Sequence, residues 1–215
     1  MVNWDTVSSL VTGFGTLVLA VATFSAVRSA NRAARVAEQA LLVGVRPLLV
    51  PSRLDDTSQK IFYGDAKFQV LLGGRGAAEV EGGIVYLAIS LRNAGRGIGV
   101  LHGWRFRAGR ETIDGHPDLA DFHPQQRDLL IAPGDIGFWQ GAFRDPADPQ
   151  YENAVAAVQS GELLSIDVLY GDHEGGQRAI SRFTLQPMQG HGDNQERVWV
   201  ASVVRHWNID RPDPR

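Results

Sequence analysis

The sequence predicts a mainly β protein in which a long N-terminal transmembrane and stalk α-helix is followed by one β-sandwich domain. Two observations predict this fold. Residues 6–27 form a stretch of 22 residues without a charge, and after Pro47 the apolar residues change from a helical period to alternation. We divide the chain into the helix and its stalk at 1–45, the β-sandwich domain at 46–208 and a disordered tail at 209–215.

The composition favours a single folded domain and excludes several classes of function. The chain has 215 residues and a net charge of −3, so no overall positive field attracts nucleic acid and we predict no nucleic-acid partner. It contains no cysteine, which excludes disulfides, thiolate metal sites and cysteine nucleophiles and favours a reducing compartment.

The uncharged stretch is long enough to be a retained membrane anchor. About 20 residues of helix cross a hydrocarbon layer of about 30 Å. A cleaved signal peptide would begin with basic residues, whereas Met1 to Asp5 contain none. A buried or domain-docked helix is the alternative. We expect the hydroxyl groups within the stretch to bond to carbonyls one turn back, and they belong to Thr6, Ser8, Ser9, Thr12, Thr16, Thr23 and Ser25.

Charged residues after the stretch predict its orientation. Arg28, Arg32, Arg35 and Arg46 follow it, and basic residues mark the cytoplasmic side of membrane helices. We therefore predict a single-pass protein of the cell membrane with a cytoplasmic C-terminal domain, the inverted topology being the alternative. The first three arginines share one helix face, where we predict contact with anionic lipid of the bilayer.

The helical pattern continues to Gly44, just before Arg46 and Pro47, an order typical of a helix end. A line of small residues runs along the face opposite the arginines at alternating spacings of four and three. Small residues let helix backbones approach closely in lipid, so we predict that this small-residue seam mediates homo-oligomerisation. Chance in an alanine-rich chain and packing against a different membrane protein are the alternatives. The predicted association residues are Ala26, Ala30, Ala33, Ala37 and Ala40.

Short apolar runs separated by Gly, Pro, Asp and Asn predict nine strands in the β domain, a number that suits a sandwich better than an open sheet. The one predicted internal helix is 147–161, which follows Asp145-Pro146 and ends at Gly161. The predicted strands lie at 46–51, 67–72, 83–92, 100–108, 128–131, 135–143, 163–170, 177–185 and 196–207.

Turn motifs and the overall layout carry a resemblance to a known group. The motifs are N-A-G-R-G at 93–97, A-P-G-D at 132–135 and Y-G-D at 170–172. With the membrane helix and basic stalk, this layout resembles the uncharacterised bacterial single-span membrane proteins that carry an immunoglobulin-like β-sandwich domain. The resemblance implies the fold and no particular activity, because its motifs are turn chemistry. The chain lacks the cysteine pair of antibody-type domains, which disfavours extracellular recognition of that kind.

Gly95, Gly97 and Gly99 follow a predicted strand, as the glycines of a dinucleotide-binding loop do. Such a loop leads into a helix N-terminus, whereas the residues after these glycines alternate as a strand. We therefore predict no cofactor, and we expect the three glycines to adopt positive φ in a turn. The glycine-rich segments at 73–76 and 82–83 are interpreted as hairpin connections.

One loop carries side chains that suit zinc or manganese. Each of its two histidines precedes a proline, which favours extended backbone, and no H-x-x-x-H spacing places the ligands together. A solvated polar loop is therefore the alternative to a metal site. The candidate metal ligands are His116, Asp118, Asp121 and His123, with Asp114 beside them.

The sequence contains no catalytic constellation, and we expect no enzymatic activity. It lacks a G-x-S-x-G motif, and the polar segment 170–176 is interpreted as a hairpin turn. We predict a membrane-anchored protein-interaction module or accessory subunit that binds a protein partner. A metal- or ligand-binding sensor domain that uses the 114–123 loop is the alternative. We expect Trp199 and Trp207 to pack in the core, and an exposed contact surface that they form with His206 is the alternative.

Overall fold

The computed structural model describes residues 4–111, 115–189 and 197–212. The chain divides into two compact units, Met1–Gly44 and Val45–Arg215. The first unit is the helix α1, which spans Trp4–Gly44 and is about 60 Å long at the standard helical rise.

Helix α1 is exposed from Thr12 to Glu38. The segment Thr12–Glu38 is long and apolar enough to cross a membrane, with a mean hydropathy of 1.4 and 0% of its most apolar window buried. Phe24 is 70% exposed. The predicted bonding of hydroxyl groups to preceding carbonyls is confirmed where it is described, since Thr16 Oγ1 donates to Thr12 O at 2.8 Å and Thr23 Oγ1 donates to Leu19 O at 2.8 Å. These bonds remove the cost of placing hydroxyl groups in an apolar helix.

The second unit is built from short strands and one helix. A short 3-10 helix at Leu119–Asp121 precedes the seventh strand. Within the described residues the elements are β1 (Leu49–Pro51), β2 (Gln59–Phe62), β3 (Phe68–Leu71), β4 (Arg75–Glu81), β5 (Ile84–Asn93), β6 (Gly99–Ala108), β7 (His123–Ile131), β8 (Ile136–Phe143), α2 (Tyr151–Ser160), β9 (Leu164–Gly171), β10 (Ala179–Gln189) and β11 (Arg197–Asn208).

Nine of these strands form one curled antiparallel sheet in the order β1-β5-β4-β11-β10-β9-β6-β7, with β8 paired to β5. Because β8 pairs with β5 over Val85–Arg92, β4 and β1 share the opposite side of β5. The sheet therefore ends at β7 and β8, whose Cα atoms approach within 8 Å. Strands β2 and β3 form a separate two-stranded sheet. The predicted fold class, a long N-terminal helix followed by a sandwich-like β domain, is confirmed.

The core lies inside the curl of the sheet. Alternate residues of β9, Leu164, Ile166, Val168 and Tyr170, are all fully buried there, as expected of a strand with one face on the core. Helix α2 packs three buried side chains against the same cluster. Trp104 and Trp199 belong to this core and Trp207 is also buried, so the prediction that the tryptophans pack inside is confirmed. The buried α2 residues are Ala154, Ala157 and Val158.

All nine predicted strands are present, and two further strands were not predicted. Strand β2 is only four residues long. Strand β4 has the sequence R-G-A-A-E-V-E, which is poor in the β-branched and aromatic residues that favour strands. The interpretation of 73–76 as a hairpin connection is therefore wrong for Arg75 and Gly76, which begin β4. A Cβ on Gly76 would lie 2.2 Å from Leu185 Cδ2, so close packing requires glycine there.

Asn93 joins the end of β5 to the chain that leads into β1. Its side chain is fully buried and accepts from Leu48 N at 3.1 Å and from Gly95 N at 2.9 Å. Its amide nitrogen donates to Gly97 O at 2.6 Å and to Ile131 O at 3.0 Å. Four hydrogen bonds therefore satisfy one buried amide completely.

The glycines of the N-A-G-R-G motif serve close approach rather than an unusual backbone angle. Gly95, Gly97 and Gly99 are absent from the residues with positive φ, so the prediction of positive φ is wrong. A Cβ on Gly95 would lie 2.3 Å from Arg46 O, and one on Gly97 would lie 1.6 Å from Val45 O. The motif is glycine-rich because the chain entering the domain passes directly against it.

The chain remains bonded to the domain beyond the predicted start of the tail at 209. Ile209 N donates to Arg178 O at 3.1 Å, and the Asp210 carboxylate accepts from Arg178 N at 2.7 Å. The prediction of disorder from 209 onwards therefore begins too early. Residues 213–215 lie outside the described residues.

Candidate functional site

The loop predicted to bind metal uses its first ligands for local bonds. Asp118 Oδ1 accepts from Ala120 N at 3.0 Å and so caps the short 3-10 helix. His116 Nδ1 lies 2.9 Å from Pro117 O. Asp114 lies outside the described residues.

The two remaining candidate ligands are directed to different neighbours. Asp121 Oδ2 lies 3.8 Å from Arg105 Nη1. The His123 ring stacks on Trp104 with centroids 4.7 Å apart, and its Nδ1 lies 3.8 Å from Asp148 Oδ2. Among the described residues, no group of three or more His, Asp or Glu side chains is arranged to hold a metal ion. The structure therefore does not bring the predicted metal ligands together.

The sheet carries a buried ion cluster on strands β6, β9 and β10. Asp167 accepts from Arg105 Nη2 at 2.7 Å and from Arg182 Nε at 2.6 Å, and all three side chains are 3% exposed. Glu111 pairs with both arginines, and Arg182 lies 5.0 Å from the ring centroid of Trp207. Each buried arginine therefore has carboxylates beside it, Asp167 and Glu111 for both and Asp121 in addition for Arg105, and the buried charge of Asp167 is paired with both arginines.

A cavity of about 340 Å³ opens between the two end strands of the sheet. Strands β7 and β8 are joined by the turn at Pro133-Gly134-Asp135, where Gly134 has φ of 76°. At the ends of the two strands away from this turn, 123–127 and 140–145 line the cavity. Tyr63, Trp104 and Asp148 complete the lining. We call this cavity the wedge.

The wedge exists because part of β7 leaves its pairing with β6. Gly99–Leu101 pair with Leu129–Ile131, and the next pair joins Gly103 to Pro124. Four residues of β7, 125–128, therefore bulge from the ladder opposite a single residue of β6. Bulges redirect side chains and are common beside functional sites, and Pro124 has no N–H with which to extend the ladder.

Gln125 and Gln140 both line the wedge. Gln125 Nε2 donates to Gln140 O at 3.1 Å. The Oε1 atoms of both residues are buried and have no hydrogen-bond partner in the described part of the chain, and Gln140 is only 8% exposed. Buried polar atoms are nearly always paired in folded proteins. A molecule bound in the wedge with N–H or O–H groups would satisfy these oxygens once the two side chains turn toward it.

Aromatic rings form the inner wall of the wedge. His123 stacks on Trp104 and meets the edge of Phe143 at 5.5 Å. Tyr63 also lines the wedge; it is buried, and its hydroxyl donates to Gln69 Oε1 at 2.9 Å. Burial raises the pKa of the Tyr63 phenol, so this group stays a neutral donor. A flat amide or an aromatic group suits such a wall.

Two arginines border the wedge in different states. Arg144 Nε donates to Asp65 Oδ2 at 2.9 Å, and its Nη2 donates to Tyr63 O at 2.9 Å, so Arg144 fastens the β2–β3 hairpin to the end of β8. Arg127 is exposed and makes no ion pair within the described ranges. Its guanidinium is thus available to a partner.

One pair of side chains resembles a nucleophile and its base. Ser181 Oγ lies 2.6 Å from His206 Nδ1. However, Ser181 is 0% exposed and its hydroxyl also bonds to Tyr170 Oη at 2.9 Å. A substrate has no access to a fully buried hydroxyl, so this arrangement stabilises the fold.

The predicted membrane residues all lie on α1. Arg28, Arg32 and Arg35 line one groove of the helix together with Phe24. Every described side chain from Thr12 to Glu38 is exposed, and the seam alanines Ala26, Ala30, Ala33, Ala37 and Ala40 are exposed as well.

Comparison of the chain with protein-family models and with curated proteins found no match. The resemblance to bacterial single-span proteins with an immunoglobulin-like domain therefore remains a prediction that rests on turn motifs. The wedge and the exposed helix are the features from which function can be argued.

The sequence did not indicate the wedge, although two signals for it can be recognised. Pro124 interrupts what is otherwise the start of a strand, H-P-Q-Q-R. Gln140 is a large polar residue within the apolar strand F-W-Q-G-A-F. A long amide in a buried strand needs a partner, and this need distinguishes Gln140 from a residue that only fills the core.

Proposed function

We propose that this chain is a membrane-anchored protein-interaction module or accessory subunit without catalytic activity, whose β domain binds a protein partner at the wedge. The observation that carries the proposal is the unpaired edge of β8, where the buried side-chain oxygen of Gln140 has no hydrogen-bond partner among the described residues. Leaving such acceptors unpaired costs stability. A bound partner that donates hydrogen bonds would remove this cost.

The properties of α1 support the anchoring part of the proposal. Its large apolar side chains are exposed, and transfer of such surface from water to lipid is strongly favourable. Arg28, Arg32 and Arg35 follow the apolar stretch, and we propose that they contact anionic lipid and fix the β domain on the cytoplasmic side. We propose in addition that the small-residue seam mediates homo-oligomerisation in the bilayer.

Photo-crosslinking in intact membranes tests the binding role. A photoreactive residue replaces Gln126, which is exposed at the wedge, and in a matched variant it replaces Gln186, which is exposed on β10. We expect the Gln126 variant to form a discrete cross-linked product with another protein and the Gln186 variant to form none. Equal products from both positions, or none from either, would contradict the proposed site.

Sedimentation and labelling test the anchor and its orientation. We expect the full chain to remain in the membrane fraction after high-salt and alkaline washes and to leave it only with detergent. Because the chain has no cysteine, Leu54→Cys supplies a single label at a side chain that is 72% exposed. A cytoplasmic domain is labelled only after the membrane is permeabilised, and labelling of intact cells would reverse the proposed topology.

A further inference from the structure

We propose that the occupant of the wedge is an extended peptide segment of the partner, which adds as a strand to the edge of β8, and that Gln125 occupies this edge until the segment binds. The inference rests on the proposed function and names the form of the partner. Both walls of the wedge are sheet edges, since β7 pairs with β6 and β8 pairs with β5 and no pairing joins β7 to β8 in the described ranges. Unpaired edges are templates for another strand.

The direction of the backbone groups of β8 follows from the pairing of β5. Ser90 O accepts from Ser52 N at 3.0 Å, so the Ser90 carbonyl faces away from β8. Phe138 is opposite Ser90, and in an antiparallel pair both members of a non-bonded position turn their N–H and C=O groups outward. The backbone groups of Phe138, and with the strand period of two those of Gln140 and Ala142, therefore face the free edge of β8. Gln140 and Ala142 line the wedge.

Gln125 makes the bond that an added strand would make. Its Nε2 donates to Gln140 O at 3.1 Å, in the place of a backbone N–H from a neighbouring strand. A side-chain amide reproduces one hydrogen bond of a ladder and leaves the other edge groups unpaired. Its own Oε1 and that of Gln140 have no partner among the described residues. An extended segment would replace this single bond with a series of main-chain bonds.

The dimensions of the wedge suit a short segment. Residues 123–127 and 140–144 border it, and five residues of strand extend about 16 Å. Main-chain recognition gives affinity with little dependence on side chains, and pockets beside the edge select alternate residues. Here the aromatic wall of Trp104 and Phe143 and the exposed guanidinium of Arg127 provide that selection.

The Gln125 bond has a second possible role. Proteins commonly block exposed strand edges to prevent aggregation, and a side chain bonded to the edge would serve that purpose. The two roles differ in their consequence. If the Gln125 side chain only protects the edge, no peptide binds there. If it occupies a binding site, it competes with the peptide that binds. Removal of the Gln125 side chain therefore increases the affinity for a peptide only if the edge is a binding site.

Peptide selection on the full chain in lipid nanodiscs tests the inference. The probe is the tightest-binding member of a random library of linear dodecapeptides, synthesised together with a series that carries one N-methyl group at each amide in turn. We expect N-methylation to weaken binding at every second position, by about fivefold or more for each lost hydrogen bond, and to have little effect between them. This alternation is the pattern of strand addition, because successive N–H groups point in opposite directions.

The Gln125→Ala variant should bind the unmodified peptide about fivefold more tightly, because no internal bond has to be broken. Gln186→Ala, on β10, is the matched control and should bind as the natural chain does.

A library without binders, or an N-methyl series without alternation, would overturn strand addition. If the photoreactive residue at position 126 still captured a partner, the proposal that the wedge binds a protein would stand, but strand addition would not be its mode of binding. If peptides bound with alternation but no partner were captured, the binding mode would stand and the proposed role in the membrane would fall.

Discussion

The ion cluster around Asp167 and the wedge between β7 and β8 are two polar regions of one sheet. They differ in whether their buried polar atoms have hydrogen-bond partners. In the ion cluster Asp167, Arg105 and Arg182 bond to one another and to Glu111. In the wedge the buried oxygens of Gln125 and Gln140 have no partner in the described part of the chain. We interpret this difference as one between polar residues that hold the fold together and polar residues at a proposed binding site.

The two regions share one part of the chain. The segment between β6 and β7 supplies Glu111 and Asp121 to Arg105, so the loop with the predicted metal ligands closes the ion cluster. In the wedge, the bulge of the following strand forms one border. The described residues of this part of the chain, 109–111 and 115–128, therefore contribute to both polar regions.

The largest expected effect is in the ion cluster. Asp167→Asn keeps the shape of the side chain and removes the charge that balances two buried arginines. Breaking a buried ion pair costs about 3–5 kcal/mol, so we expect the free energy of unfolding of the β domain to fall by that amount. Urea unfolding of the full chain in detergent micelles, followed by tryptophan fluorescence, measures it.

Asp128→Asn is the control for this substitution, because Asp128 is exposed on β7. We expect a change within about 0.5 kcal/mol there. Equal stability of the two variants would show that the ion cluster does not hold the fold, and the contrast between the two regions would lose its basis.

A second substitution extends the comparison to the other saturated polar group. Asn93→Ala removes an amide with four hydrogen bonds and leaves their backbone partners unpaired. Each unpaired buried group costs about 1–3 kcal/mol, and partial relaxation should bring the net loss of unfolding free energy to about 3 kcal/mol. Asn208→Ala, which removes a single exposed bond to Pro212, is the matched control. Similar melting temperatures for the two variants would contradict the role of Asn93.

Elements with a clear hydrophobic pattern were predicted from the sequence, and elements defined only by their neighbours in the fold were not. Hydrophobic alternation predicted all nine strands whose residues are β-branched or aromatic, such as 164–170, because one face of each strand packs on the core. Helix α1 was predicted because an uncharged, mainly apolar stretch of about 20 residues has the length of a membrane-spanning helix. Strand β4 was missed since its alanines, glycine and glutamates favour no strand, and only its partners β5 and β11 define it.

The wedge was missed because it depends on distant parts of the chain. Gln125 and Gln140 are 15 residues apart, and their relation depends on the curl of the sheet and on a bulge in β7. The chemistry of His116, Asp118, Asp121 and His123 suggested a metal site, but composition alone does not make ligands converge. The alternation of apolar residues predicts a strand well. It does not predict which side chains from different strands meet.

Acid should weaken a smaller, surface contact near the C-terminus. Hydrogen bonds from Arg178 hold the pKa of the Asp210 carboxyl below its ordinary value. A carboxyl with a lowered pKa in the folded state stabilises the fold above its unfolded pKa of about 3.9, and the contribution disappears as the pH falls through the lower folded value. The pair is partly exposed, so we expect at most about 1 kcal/mol. The difference in melting temperature between the natural chain and Asp210→Asn should be present at pH 6 and shrink as the pH falls below about 3.9. A difference that is independent of pH would exclude this ion pair as its cause.

The smallest expected effect on stability, and the sharpest contrast with Asp167, is at Gln140. Gln140→Leu replaces a buried amide whose oxygen has no partner among the described residues with an apolar side chain of similar size. Because an unpaired buried polar atom opposes folding, we expect the free energy of unfolding to stay within about 1 kcal/mol of the natural value or to rise. The same variant should lose the cross-link from position 126, whereas a polar residue kept for folding would behave as Asp167 does. A large loss of stability in Gln140→Leu with binding intact would therefore make the wedge a second structural cluster, and the distinction between saturated and unsaturated polar regions would no longer indicate where this domain binds.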